Sequence, residues 1–586
     1  MARSNKLFKD LEVRNKVSRN GFDLSNEHFF TAKVGELLPI YHRTLMPGDK
    51  FRFRLNSFTR TNSVNTSAFT KIHEYFDFFF VPYRLLGKQI PHILAQDVDN
   101  PVVATSQTVN KSIGTSLPKI QLSRLRDDST TSLPKLLGTK KNEFGFYRAI
   151  LTNKLLNHLG YFWQSTKGAK ENAGIVDDFG NMQVDKVEYD INPYMSLLPL
   201  AAYQKIRYDY FRNSQWEDNV PYNYNFDYLS NTAIYSLPAS SSVEFWNNPT
   251  MFDLGYASYP KDLFFGLLPD SQYGDTAVVE SEVSTAQSNV SIRDADGVVI
   301  DSDNIDSFTG ELWADMSSYS DSLRTQFDIL EFRKARFAQH YREIVGTGKK
   351  SMKALISKIY NVELPRELTD ECYYLGGHSN VVKFSDVDNT NLADGNDVLV
   401  KGKGIASSDG DLIEFDADEY GIVMCIYHAM PKIDFALNNA HFDVLKVNVD
   451  DYANPIFDNL GLQEMNILYL DNTKKNNVSQ TPFIGWTSRY FDYKTSIDVV
   501  NGDFRESLYQ WVAPLTPDTL FQYSGTNDSR PGIVLDYKFF KINPCILDSV
   551  FVTACNSYLN TDQLDVSVYF SCNAVRPLSY LGIPND

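Results

Sequence analysis

Cysteine is scarce: the 586 residues hold five, Cys372, Cys425, Cys545, Cys555 and Cys572, and no two are spaced as C-x-x-C. That excludes a zinc ribbon or a dithiol redox site, and the odd count suits free, buried thiols in a reducing cytoplasm, so no disulfide is expected. Long apolar runs are missing as well. No stretch approaches the roughly 18 apolar residues of a spanning helix, and the opening Met-Ala-Arg-Ser-Asn-Lys has no apolar leader core. Membrane insertion and secretion are therefore not expected. Positive charge is short too, since 56 Lys and Arg against 73 Asp and Glu leave a net charge of −17. A chain whose whole surface wraps nucleic acid is thereby excluded, because phosphate binding needs clustered Lys and Arg.

Catalytic patterns are also absent. Nine histidines, among them His28, His73, His340 and His428, show neither H-E-x-x-H nor a zinc spacing, and no G-x-S-x-G elbow exists. Gly346-Thr347-Gly348-Lys349-Lys350-Ser351 resembles a phosphate loop only in outline. Glu343 stands where the first Gly is needed and Lys350 replaces the Ser or Thr, so the run reads as a helix terminus. Asp294, Asp296, Asp301 and Asp303 begin like a calcium loop without its bidentate Glu and read as ordinary loop carboxylates. No metal, cofactor or enzymatic activity is expected.

Aromatic residues are abundant, with 39 Phe and 34 Tyr, which suggests extensive contact with other chains. Alternation marks strands. Phe51, Phe53 and Leu55 alternate with Arg52 and Arg54 after the turn Pro47-Gly48-Asp49, and Leu564, Val566, Val568, Phe570 and Cys572 alternate with Asp565, Ser567, Tyr569 and Ser571. Tyr75–Val81 and Gly421–Met430 are further strand blocks, each stopped by proline. Two helices with buried stripes are predicted, one over 143–163 (Phe144, Tyr147, Leu151, Leu155, His158, Phe162) and one over 322–346 (Leu323, Phe327, Leu330, Phe337, Tyr341, Ile344). No repeat of 20 to 50 residues occurs, which disfavours a solenoid or propeller.

Strands near both ends with mixed connections between them predict a mainly β fold, one sandwich of the jelly-roll kind enlarged by insertions. Residues 1–25 form a basic N-terminal arm, and 26–586 a single domain with insertions at roughly 100–420 and 430–545. The arm carries Arg3, Lys6, Lys9, Arg14, Lys16 and Arg19 against Asp10 and Glu12. Residues 270–321, with twelve acids and one base, and 384–419, with ten acids and two bases, read as solvated loops.

The densest signal is Ser196–Trp216, a Pro-started helix running into aromatic residues and arginines. Tyr203, Tyr208, Tyr210, Phe211 and Trp216, with Arg207 and Arg212, are the residue types of interface centres and are expected at subunit contacts. Packing of this helix on the chain's own core is the alternative.

The run Pro199, Leu200, Ala202, Tyr203, Gln204, Lys205, Ile206, Asp209, Tyr210, Arg212, Asn213 and Trp216 resembles a signature of the microvirus major capsid protein family. Ala32–Pro39 with Pro47-Gly48-Asp49, Phe78–Pro82 with Arg84-Leu85, Tyr259–Gly266, Tyr374–Gly377, Phe457–Gln463 and Gly485–Arg505 are similar to further blocks of that family, in order along nearly the whole chain. Residues 346–362 depart from it, and the wording is closest to gut-associated and prophage-like members. The resemblance implies an eight-stranded viral jelly roll with long, helix-bearing insertions. It implies copies assembled through pentamers into a small icosahedral shell around circular single-stranded DNA, built in the host bacterial cytoplasm and ending in the virion. The implied partners are the chain itself, the DNA, a small basic DNA-binding protein, a pilot protein and a host surface receptor. The basic arm is then expected on the DNA inside the shell, without sequence readout, with a solvated terminus that only helps assembly as the alternative. Two rivals are a glycan-binding or glycan-cleaving β-sandwich, which needs an aromatic-lined concave site, and an internal scaffold, which would be more helical and more highly charged.

Overall fold

The computed structural model describes residues 18–64, 69–95, 117–125, 132–138, 140–161, 191–229, 234–239, 241–275, 277, 291–293, 313–315, 329–385, 403–435, 440–470, 483–515, 535–551 and 562–580. The chain divides into two units, residues 1–269 with 349–586, and residues 270–348.

The larger unit is built on ten strands: β1 (Asn20–Asp23), β2 (Asn26–Ala32), β3 (Leu38–Leu45), β4 (Lys50–Thr61), β5 (Ile72–Pro82), β6 (Tyr373–Ser385), β7 (Lys403–Asp409), β8 (Ile413–Asp416), β9 (Gly421–Pro431) and β10 (Leu564–Arg576). All pairings among them are antiparallel. β10 lies between β4 on one side and β1 with β2 on the other, and β4 pairs in turn with β7 and β8. β9 lies between β3 and β5, and β5 pairs with β6. The ends of β6 and β7 join the two runs, Lys383 opposite Ile405.

The alternation read from sequence decides which face is inside. Along β4 every second residue is buried, from Phe51 to Thr61, and β10 repeats the pattern. The sheet curls, so the inward rings of one run meet those of the other: Phe53 lies 5.4 Å from Phe78, Tyr41 4.8 Å from Phe570 and Phe80 4.8 Å from Phe415. β9 is buried on both faces, as its unbroken apolar run requires. At the turn into β4, Gly48 adopts φ +88°, and Asp49 Oδ2 accepts from Met46 N at 2.9 Å.

The acidic stretch 384–419 is partly corrected. Within it, residues 403–416 form β7 and β8 rather than a solvated loop, because their acids face the outward bases of β4. Asp416 meets Lys50 at 2.5 Å, Glu414 meets Arg52 at 2.9 Å and Asp409 meets Arg54 at 3.5 Å. Disulfides need a correction as well: Cys545 is disulfide-bonded, whereas Cys372, Cys425 and Cys572 are free and buried. An odd number of cysteines leaves room for one pair.

Helix α1 (Arg148–His158) follows the first helical prediction, with Leu151 and Leu155 in the core and Phe144 and Tyr147 buried just before it. Phe162 lies outside the described residues. The other helices of this unit used below are α2 (Leu198–Ile206) and α4 (Met352–Tyr360).

In the smaller unit, Ser291–Arg293 pairs with Trp313–Asp315, and α3 (Ile329–Gly346) carries Gln339, which donates to Glu343 at 2.9 Å and to Gln272. Tyr273 N donates to Arg342 O at 3.1 Å. Three residues of the predicted buried stripe of α3, Leu330, Phe337 and Tyr341, are exposed. Leu323 and Phe327, and the aspartates at 294–303, lie outside the described residues. The glycine-lysine run is a helix boundary, as expected: α3 stops at Gly346, and Ser351 Oγ accepts from Ala354 N at the start of α4.

Candidate functional site

α2 starts with Pro at its first turn, where a missing N–H costs nothing, and continues into a single π-helical turn, Arg207–Phe211. The combined segment lies on the outer face of β5 and β9. Tyr210 packs 4.8 Å from Phe79, and Phe211 meets His428 edge-on at 5.2 Å.

Of the seven aromatic and arginine positions expected at subunit contacts, three are enclosed by the chain itself. Tyr203, Arg207 and Tyr208 are buried. Tyr203 Oη donates to Leu37 O at 3.0 Å and accepts from Gly255 N at 2.8 Å, tying the helix to the start of β3. Arg207 Nη1 donates to Gln204 Oε1 at 3.3 Å, while its stem lies against Gly255 so closely that a Cβ there would meet Cδ at 2.7 Å. Tyr208 Oη accepts from Asn223 Nδ2 at 2.8 Å.

The other four form an edge open to solvent. Tyr210 is 38% exposed and donates to Cys372 O at 2.7 Å. Phe211, Arg212 and Trp216 are half-buried. Arg212 Nη1 donates to Glu217 O at 2.7 Å, closing the turn, and Trp216 Nε1 donates to Leu267 O at 2.8 Å with its ring 4.8 Å from Phe540.

Charge beneath this edge is paired. Lys541 Nζ lies 2.9 Å from Glu217, with both side chains largely buried. Burial works against the Glu217 carboxylate, but Lys541, Arg207 and Arg212 outweigh it and hold its pKa below the usual range. Burial raises the pKa of Glu143 despite the nearby Arg207 and Lys541. Such a network fixes geometry. A small cavity is lined by Leu125, Leu133, Leu137, Ala149 and Leu156 together with Thr152 and Asn153. Among the described residues, no group of three or more His, Cys, Asp or Glu could hold a metal ion, and no helix is long and apolar enough to cross a membrane.

Of the arm, Arg3, Lys6, Lys9, Arg14 and Lys16 lie outside the described residues. Arg19 is exposed and its guanidinium rests against the turn at Gly48, leading directly into β1 at the edge of β10.

Sequence reading missed other exposed apolar surface. Met352, Ile359 and Tyr360 of α4 and the run from Val444 to Leu460 stand in solvent. In α4 the signal was present as apolar residues at 352, 355, 356 and 359, one face of a helix.

None of the curated proteins compared with the chain matches it. The model of the family described as "Capsid protein (F protein)" matches residues 12–156 and 163–585, nearly the whole length. That span contains every block on which the microvirus resemblance rested. The chain belongs to the capsid protein (F protein) family of the microviruses and is a structural major capsid protein of the virion.

Proposed function

We propose that the chain folds as an eight-stranded jelly roll and that its copies close, through pentamers, into a small icosahedral shell around circular single-stranded DNA. The observation that carries this reading is the strand order. β2, β10, β4 and the β7–β8 pair form one four-membered run, β3, β9, β5 and β6 the other, and each run packs its inner face on the other. Two interlocked Greek keys produce that order. β7 and β8 act as one strand interrupted at Gly410, whose N–H still donates to Leu55 O at 2.7 Å. β1 is a short addition at the end of β10.

In this reading the exposed edge of Tyr210, Phe211, Arg212 and Trp216 contacts a neighbouring subunit, and Tyr203, Arg207 and Tyr208 hold that edge in place from below. The arm, with Arg3, Lys6, Lys9, Arg14, Lys16 and Arg19, neutralises packaged DNA, sharing that task with a small basic DNA-binding protein. The pilot protein and a host surface receptor complete the partners, and assembly takes place in the host bacterial cytoplasm. The glycan-binding alternative receives no support from the family match.

Particles assembled in a host supplied with the other virion proteins test the reading. Uniform spheres containing nuclease-protected single-stranded DNA are expected. Deleting residues 2–19 should lower the DNA content of those spheres, and unchanged content would refute the role of the arm.

A further inference from the structure

α4 is only partly covered: Leu355 and Ile356 are half-buried, while Met352, Ile359 and Tyr360 are exposed. Ser351 caps its N-terminus, accepting from Ala354 N at 3.2 Å, and Asn361 closes its C-terminus in the left-handed conformation at φ +52°. Between them Met352, Leu355, Ile356 and Ile359 form one apolar stripe, yet no residue of the helix is buried. A helix of nine residues is marginal in water by itself, and the exposed ends of its stripe, Met352 and Ile359, leave apolar surface open to a partner. Lys350, Lys353 and Lys358 flank it, and no acid occurs from 350 to 362.

The run 444–460 has the opposite character. Val444, Val447, Val449, Ile456 and Leu460 project into solvent, Val449 at 88% and Ile456 at 83% exposure. The backbone beneath them is nevertheless fixed. Asp451 Oδ2 accepts from Val447 N at 2.9 Å and Asn448 N at 2.7 Å, and Asn454 Oδ1 accepts from Ile456 N at 3.1 Å. Lys446 Nζ is held between Asp443 at 3.1 Å and Asp492 at 2.9 Å. A rigid pad of aliphatic side chains in an acidic surround, with Asp450 and Asp458 beside them, costs little ordering entropy on binding.

We infer that α4 of one subunit docks on the 444–460 pad of the next copy of this chain. The open part of the stripe matches the pad in apolar character, and its excess of lysine matches the pad's excess of aspartate, Asp450 above all, since Asp458 is paired with Lys494 at 2.8 Å and Lys353 also acts on Glu371 of its own chain. The occupant is a second copy because one chain carries both halves and capsid proteins assemble with themselves. Two different patches make a head-to-tail contact, which closes into a ring by rotation, as a fivefold or threefold position requires and a twofold contact does not. The inference rests on the proposed shell and assigns one of its contacts.

Ile359→Asp and Ile456→Asp test it, each placing a charge on an apolar surface without touching the core. Both monomers should show wild-type circular dichroism and melting. Each should lower the yield of particles in a sedimentation assay at least about tenfold, the scale of a lost interface anchor. The double reversal Lys353→Glu with Lys358→Glu should also lower the yield, and adding Asp450→Lys should restore most of it. Wild-type particle yield from both isoleucine variants would overturn the inference, as would reversal without rescue. Failure of the wild-type chain itself to form particles would instead overturn the reading on which the inference rests.

Discussion

Tyr427 Oη donates to Glu74 Oε1 at 2.7 Å between β9 and β5, with both side chains shut inside the curled sheet. Burial pushes the Glu74 carboxyl up to about 7, and the tyrosine offsets only part of it. The folded pKa lies above the ordinary 4.5, so the folded state holds the extra proton between those values. The contribution of Glu74 to stability is therefore full below pH 4.5, falls as pH rises towards 7 and is level beyond. A shift of this size corresponds to at most about 3 kcal/mol. Melting of the unassembled protein across that range should show this contribution as a steeper decline in the wild type than in Glu74→Gln, whose amide still accepts from Tyr427. Parallel pH curves for the two proteins would contradict this assignment.

Arg148 and Arg52 each face a carboxylate, in opposite settings. Arg148 is buried in α1 and grips Asp253 through Nε at 2.7 Å and Nη2 at 2.5 Å, with further bonds to the carbonyls of Trp246 and Asn248. Arg148→Met leaves Asp253 uncompensated and should cost about 3–5 kcal/mol in denaturant unfolding. Arg52 meets Glu414 with both side chains more than half exposed, so Arg52→Ala should cost less than about 1 kcal/mol.

Gly255 lets the Arg207 stem approach the backbone. A Cβ there would stand 2.7 Å from Arg207 Cδ and 3.1 Å from Leu37 Cδ1. Gly255→Ala should therefore destabilise the chain by about 1–3 kcal/mol. The accompanying observable is weaker packing of α2, seen as faster amide exchange over residues 198–211.

The strands were legible where one face is buried and the other wet. Phe51–Leu55 and Leu564–Cys572 alternate so regularly that their inward residues followed from spacing alone, whereas the rest of β4 turns the polar Ser57, Thr59 and Thr61 inward and carried no such signal. Gly421–Pro431 was legible as an apolar run ended by proline. Residues 403–416 were not, because their acids look like loop residues until the bases of β4 are seen opposite them. The pairing order was not readable either, since it depends on contacts hundreds of residues apart, such as Phe570 with Leu55.

The segment 198–216 shows the limit for sites. Its residue types announced a buried surface, but composition does not say whether the chain or a neighbour does the burying. Tyr203, Arg207 and Tyr208 are covered from within, while Tyr210 keeps an open edge. Val444–Leu460, whose apolar residues are interleaved with Asp and Asn and include no arginine or tryptophan, gave no comparable warning, and side-chain hydrogen bonds hold its backbone where those residues are exposed.

Cryo-electron microscopy of particles formed by the wild-type chain with its virion partners tests the central claim most directly. The expected map shows a closed icosahedral shell of this chain, with α4 and the 444–460 run covered at contacts between copies. A chain that stays monomeric at every concentration, with both surfaces exposed, would contradict it.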